Sequence, residues 1–164
     1  MSIQVAPICQ RGGLSAGTTS ASTTTEATTK RPECPNGWET LTGDGSSIKC
    51  FKYWPNEVHA TLAEDTCRAQ GGHLASVHSI EEQSFLVQTF NPSDDCVWIG
   101  AVDPDHNRVW EWTDGSSFDF SYWRSGQPNG GVHYSVMDFA RTSDGGWSDY
   151  TEDNDCGYIC QLTF

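Results

Sequence analysis

The 164-residue chain has no apolar run long enough to span a bilayer, no Cys-x-x-Cys pair, no His-x-x-x-His spacing and no glycine-rich phosphate loop. These gaps exclude direct membrane insertion, a zinc knuckle or redox dithiol, a helical histidine metal site and a nucleotide cofactor. Positive charge is also scarce: 9 Lys+Arg stand against 22 Asp+Glu, a formal net charge of -13. Like charge repels a phosphate backbone, so nucleic acid and anionic membrane surfaces are excluded as partners. The histidines at 59, 73, 78, 106 and 133 nominate no triad. Asp103 and Asp105, set among Pro104, Asn107 and Arg108, complete neither an EF-hand loop nor a paired-carboxylate hydrolase site. The sequence is not expected to encode an enzyme.

What is abundant points to one cross-linked, turn-rich domain. The chain holds 16 Gly, 7 Pro, 7 Trp and 7 Cys, and its length suits a single core. Seven cysteines exceed what a reducing compartment usually sees, so disulfides and an extracellular or secreted setting are expected. Met1 to Arg11 lacks the apolar run of a signal peptide, and the expectation is a fragment or an incomplete start. Nine of the twelve residues from Thr18 to Thr29 are Ser or Thr, the composition of a disordered spacer, either O-glycosylated or an unmodified linker. Asn91-Pro92-Ser93 is no N-glycosylation acceptor, because proline occupies its middle position. The expected division is a tail over 1–33 and a domain over 34–164, whose 20 acidic and 6 basic side chains give it a net charge of -14.

Short alternating segments, Trp38 to Leu41 and Ile48 to Tyr53, flank Thr42-Gly43-Asp44-Gly45 and predict a hairpin. A first helix is predicted from His59 to Gln70, with Leu62, Thr66, Cys67 and Ala69 near one face and Gly71-Gly72 as its stop. Ser79 and Glu82 make a capping box for a second helix, which carries Phe85, Leu86 and Phe90 and ends at Asn91-Pro92. Strands are predicted at Val97–Ala101, Val109–Trp112, Tyr134–Phe139 and Gly157–Leu162, and the stretch from Phe118 to His133 has little periodicity. Early helices and later strands without βαβ spacing indicate an α+β fold with antiparallel sheet.

From Cys34 to Leu162 an ordered series of motifs resembles the C-type lectin-like domain. It runs through Cys34-Pro35-Asn36-Gly37-Trp38, the stretch from Cys67 to Ala75, Trp98-Ile99-Gly100 and the stretch from Trp110 to Gly115. It continues through Tyr122-Trp123, Gly126-Gln127-Pro128-Asn129, Gly146-Trp147-Ser148-Asp149 and the stretch from Cys156 to Cys160. The resemblance implies two helices, small antiparallel sheets and a long irregular loop. It also implies the disulfides Cys34 to Cys50 and Cys67 to Cys160. The family's third bridge joins the first cysteine of the closing motif to one at the start of the strand after the long loop, where this chain has Ser135. Cys156 therefore lacks its usual mate and Cys96 is extra, so these two are expected to pair. Cys9, in the tail, is left as a free thiol or an intermolecular partner.

Sugar-binding members of that family hold calcium through a Glu/Gln-Pro-Asn/Asp loop, a following glutamate and an Asn-Asp pair. Carried over, these positions are Gln127, Asn129, His133, Ser148 and Asp149, with Gln127, Asn129 and Asp149 as the weak or vestigial metal set. Imidazole and serine are poor calcium ligands, and one certain carboxylate is few for a cation needing six to eight oxygens. Asp138, Asp144, Asp149, Glu152, Asp153 and Asp155 read as a solvated acidic rim or as a displaced calcium site. Trp98, Trp110, Trp112 and Trp147 read as core, while Tyr122, Trp123 and Tyr134 are candidates to stack on a ligand or serve as a protein hot spot, Trp123 reading in preference as core. Two functions follow from the resemblance: carbohydrate binding with weak or absent calcium dependence, or a protein-binding or structural module that has lost sugar and calcium. The partner is accordingly a glycan or an extracellular protein.

Overall fold

The computed structural model describes residues 33–43, 47–90, 92 and 95–164. The Ser/Thr tail with Cys9, the tip of the first turn at 44–46, and Asn91, Ser93 and Asp94 lie outside them.

The predicted hairpin forms from β1 (Glu39–Thr42) and β2 (Ile48–Val58). β2 runs on past Tyr53 because the last strand, β8 (Cys156–Thr163), pairs along it from Lys49↔Thr163 to Val58↔Cys156. The remaining strands are β3 (His73–Leu74), β4 (Cys96–Val102), β5 (Glu111–Trp112), β6 (Tyr134–Asp138) and β7 (Trp147–Tyr150). They form one connected path, β1-β2-β8-β4-β6-β7, with β3 added on β8 and β5 on β4. Pairing is antiparallel throughout except for β4 and β8, which run parallel with Val97 opposite Gly157 and Trp98 opposite Tyr158.

Period-2 alternation divides the core between the two faces of this sheet. Val97, Ile99, Met137 and Ile159 join one buried cluster, which includes Leu86; their strand neighbours Trp98, Val136, Tyr158 and Cys160 join another. Both faces are covered, which is why β4 reads as an unbroken apolar run. Helix α1 (Ala60–Ala69) packs on the second cluster through Ala60, Ala63 and Cys67. Leu62, expected on that face, is 52% exposed. The helix is turned by Cys67, whose disulfide to β8 buries the positions three or four residues apart along its own stripe and leaves Leu62 on the far side. Helix α2 (Ile80–Phe90) starts as expected: the Glu82 amide donates to Ser79 Oγ at 3.2 Å. The Glu82 carboxylate reaches one residue further back than in the usual box, accepting from the His78 amide at 2.7 Å, and is ion-paired with Lys49 at 2.8 Å.

Three disulfides close the domain. Cys34–Cys50 ties the entering chain to β2, and Cys67–Cys160 ties α1 to β8. Cys96–Cys156 joins the first residues of the parallel pair, with Cα atoms 5.2 Å apart.

Candidate functional site

Residues 113–133 contain no named strand, yet they are pinned in the middle by Trp147 of β7. Its amide donates to Tyr122 O at 2.7 Å, its carbonyl accepts from the Arg124 amide at 3.0 Å, and its fully buried indole donates to Gln83 Oε1 at 2.9 Å. Trp98, Trp112 and Trp147 are core residues as expected, and Trp110 and Trp123 pack with them. Tyr122 is half-buried against the core and donates to Asp144 at 2.8 Å; that carboxylate raises the phenol's pKa, and the phenol in turn lowers the pKa of Asp144.

The loop returns through a turn at Gly126 and a cis Gln127–Pro128 peptide. Here the structure brings Gln127, Asn129 and Asp149 together. The amides of Asn129 and Gly130 donate to Asp149 Oδ1 and Oδ2 at 3.0 and 2.8 Å. Gln127 Oε1 accepts from the amides of Asn129 at 3.1 Å and Asp149 at 3.4 Å. Each carboxylate oxygen of Asp149, like the Gln127 carbonyl oxygen, thus faces an N–H group. The exposed Arg108 guanidinium lies over Gly130, so close that a Cβ there would sit 2.8 Å from Nη2.

The other two expected residues go elsewhere. Ser148 is fully buried, and its side chain points to the opposite side of β7 from Asp149, as strand alternation requires. It donates to Asp138 Oδ2 at 2.6 Å and accepts from Arg124 Nε at 2.5 Å. Asp138 is therefore no part of a solvated rim: it is fully buried, and Arg124 and Arg141 approach the same oxygen at 3.1 and 3.0 Å. His133 lies beside Asp103, its Nδ1 3.8 Å from Oδ2, with its ring against that of His106. Asp103 holds its own loop by accepting from the amides of Asn107 and Arg108 at 3.0 and 2.9 Å. Burial pushes the Asp103 pKa up, but these amides, helped by the two histidines, bring it below its ordinary value.

Sequence spacing gave no hint of a further cluster at His78. Its Nδ1 is 2.7 Å from Asp119 Oδ1, and its Nε2 lies 3.2 Å from the hydroxyls of both Ser76 and Ser116. The inventory resembles a Ser-His-Asp triad, but both hydroxyls donate to Asp114, at 2.6 and 2.5 Å. His78 Nε2 consequently faces oxygen lone pairs instead of a proton it could accept, so the group joins the loop to the start of α2 without activating a serine. The His78 hydrogen bond lowers the Asp119 pKa. Burial raises that of Asp114, but the Ser116 and Ser76 hydrogen bonds outweigh it and the net shift is downward.

Calcium takes six to eight hard oxygen ligands. At Gln127, Asn129 and Asp149 the chain offers one carboxylate and neutral amides, and a cation there would compete with two amide N–H groups for the Asp149 oxygens. Among the described residues no three His, Cys, Asp or Glu side chains converge to hold a metal ion. Nor is any helix among them long and apolar enough to cross a membrane. The three disulfides place the domain in an oxidising, extracellular setting.

Residues 56–162 match the family model described as the lectin C-type domain. Over 133 residues the chain is 36% identical to a type-2 ice-structuring protein of Hemitripterus americanus, spanning 81% of this chain and 77% of the relative. Over 137 residues it is 36% identical to a lectin of Pleurodeles waltl, spanning 80% and 77% respectively. Among solved structures it is similar to a calcium-independent type II antifreeze protein, at a TM-score of 0.70 and 32% identity over 79% of this chain and 94% of the other. It is also similar to the C-type lectin CEL-I of Cucumaria echinata, at a TM-score of 0.71 and 27% identity over 81% and 99%.

Proposed function

The chain belongs to the C-type lectin domain family, and from that membership we propose that it is an extracellular, non-catalytic recognition module whose long loop binds carbohydrate with weak or absent calcium dependence. The observation that supports this reading is the closure of the Gln127–Pro128–Asn129 turn on Asp149 by two backbone amides. The turn is held by the protein's own donors, and the guanidinium of Arg108 over Gly130 adds positive charge beside it. Asn129 remains exposed, and its amide offers both a donor and an acceptor to vicinal sugar hydroxyls. Calcium would be held weakly, by Gln127, Asn129 and Asp149. The test is a glycan array of the oxidised protein with calcium and with chelator, paired with calorimetric titration of calcium. Glycan signal that persists in chelator supports the reading; signal lost in chelator, or tight calcium uptake, overturns its calcium part, and an empty array under both conditions removes the carbohydrate part.

The similarity to ice-structuring proteins favours a second reading, in which the same surface recognises a ligand other than sugar. An extracellular protein captured independently of sugar and chelator would support it, as would ice-recrystallisation inhibition lost on Asn129→Ala.

A further inference from the structure

The domain holds 6 bases, and five of them are engaged within it. Lys49 pairs with Glu82 and Arg68 with Glu64, Arg124 and Arg141 share Asp138, and the Lys52 ammonium stands 4.2 Å from the centre of the Trp54 ring. Arg108 is the sixth. Among the described residues its guanidinium makes no ion pair and no hydrogen bond, although the domain carries 20 acidic side chains.

This unpaired base is nonetheless held in place. Its backbone has φ 68°, in the left-handed region that side chains other than glycine's disfavour, and only His106 among the other described non-glycine residues shares a positive φ. The buried Asp103 carboxylate fixes that conformation through the Asn107 and Arg108 amides at 3.0 and 2.9 Å. Asn107 Oδ1 accepts from the Val109 amide at 2.8 Å, and Trp110 seats the far end of the loop in the core. From there the guanidinium reaches Gly130, where a Cβ would stand 2.8 Å from Nη2, 3.2 Å from Cζ and 3.3 Å from Nε. Because Cζ is as near as Nε, the glycine lies under the face of the planar group and not beyond its edge. Guanidinium N–H bonds point outward in the plane, so the face is seated while the donors stay free. Left-handed non-glycine residues persist where the surroundings over-determine them, and they cluster at ligand clamps.

Gly130 directly follows Asn129, whose side chain is exposed, and its own amide closes the turn on Asp149 at 2.8 Å. The free guanidinium edge therefore stands beside the exposed Asn129 amide. A rigid fork of N–H donors matches the paired oxygens of a carboxylate or a sulfate. The net charge of -14 opposes an anion at a distance. At physiological ionic strength, however, exposed charges beyond about 8 Å are largely screened, so direct contact at Arg108 decides.

Resting on the carbohydrate reading of the Gln127 turn, we propose that the ligand is an acidic saccharide, its carboxylate or sulfate ester on the Arg108 guanidinium and its neighbouring hydroxyls on Asn129. The full oxidised chain would be applied, with calcium and with chelator, to an array carrying galactose, galacturonic acid, galactose 6-sulfate and the three corresponding glucose compounds. At least one acidic sugar should exceed its neutral parent about tenfold, the increment expected of a charge-assisted contact. The uronate and sulfate arms tell a carboxylate from a sulfate ester. Arg108→Gln should bring the ratio of acidic to neutral signal close to one, and Arg108→Lys, which keeps the charge without the fork, should restore part of it. Inhibition of wild-type binding by free acidic sugar against its neutral parent measures the same preference without any variant. Neutral sugars that bind as well as acidic ones, or a preference that survives Arg108→Gln, overturn the proposal and leave the carbohydrate reading standing. An array empty throughout removes both.

Discussion

Arg124 Nε lies 3.1 Å from Asp138 Oδ2, joining the long loop to the end of β6 through a carboxylate with no solvent exposure. The same oxygen takes Arg141 Nη1 at 3.0 Å and the Ser148 hydroxyl at 2.6 Å. In a domain with only 6 bases, two of them converge on one acid. Removing one member of a buried ion pair leaves the other charge uncompensated, which typically costs about 3 to 5 kcal/mol. Arg124→Ala should fall somewhat below that range, at about 2 to 3 kcal/mol, because Asp138 stays buried but keeps Arg141 and the Ser148 hydroxyl. Arg141 is half exposed, and Arg141→Ala should cost less than about 1 kcal/mol. Urea unfolding of both variants checks the order, and equal stabilities would show that Arg124 is no structural anchor.

Cys96 and Cys156 stand beside each other because their strands run parallel and in register from Val97 and Gly157 onward. The bridge closes a sequence separation of 60 residues, so in the loop-entropy account its loss costs about 4 kcal/mol. The pair Cys96→Ala/Cys156→Ala should lose about that much in guanidinium unfolding. A non-reducing peptide map of the wild type should yield the two residues in one cross-linked fragment, with neither alkylated.

How far the sequence carried depended on whether a feature is local. Ser79 and Glu82 are three residues apart, and the helix they cap begins where their spacing says. The pairing of Cys96 with Cys156 was legible only through the family resemblance, which implies the other two bridges and a usual mate for Cys156 at the position held here by Ser135, a residue buried between Ile99 and Asp149. Leu62 was misplaced because four apolar or small residues on a short helix fit more than one face, and only the disulfide partner of Cys67 fixes the rotation. The partnership of His78 with Asp119 spans 41 residues and runs into a loop without periodicity, so no pattern in the chain announces it. Arg124 had one available signal: it is the sole Lys or Arg between Arg108 and Arg141. His133 sits on the irregular approach to β6, where backbone direction, not spacing, sends its ring to Asp103.

Glu64 makes the stability of α1 sensitive to acid. Burial pushes its pKa up, but the Leu74 amide, His73 and Arg68 together hold it below its ordinary 4.5. Its Oε1 meets His73 Nδ1 at 2.7 Å and Arg68 Nε at 2.9 Å, while Oε2 accepts from the Leu74 amide at 2.9 Å. A carboxyl whose pKa is depressed by folding adds stability that is complete above its unfolded pKa and disappears as pH falls through the folded one. Glu64→Gln should therefore cost about 1.5 to 3 kcal/mol at pH 7, the range for hydrogen bonds to a charged group. The difference from wild type should shrink as pH drops below 4.5. Urea titrations across that range measure it, and a gap that stays constant down to strong acid would remove Glu64 as the cause.

The turn at Gln127 offers a gain-of-function test of the calcium argument. Gln127 Oε1 accepts two amides, from Asn129 and Asp149, and a glutamate oxygen in its place would accept both equally well. Gln127→Glu thus keeps the turn's hydrogen bonds while setting a second carboxylate beside Asp149. The two negative charges repel, which lowers stability without a cation and gives calcium both a charge to neutralise and additional hard oxygens. The variant should unfold at a lower temperature than wild type in chelator and recover by several degrees in millimolar calcium, whereas the wild type should move by less than about one degree. If the wild type itself gains several degrees with calcium, the amides on Asp149 yield to the ion and the site is metal-dependent. If the variant gains nothing, a second carboxylate is not what the turn lacks, and the two N–H groups already on Asp149 are the barrier.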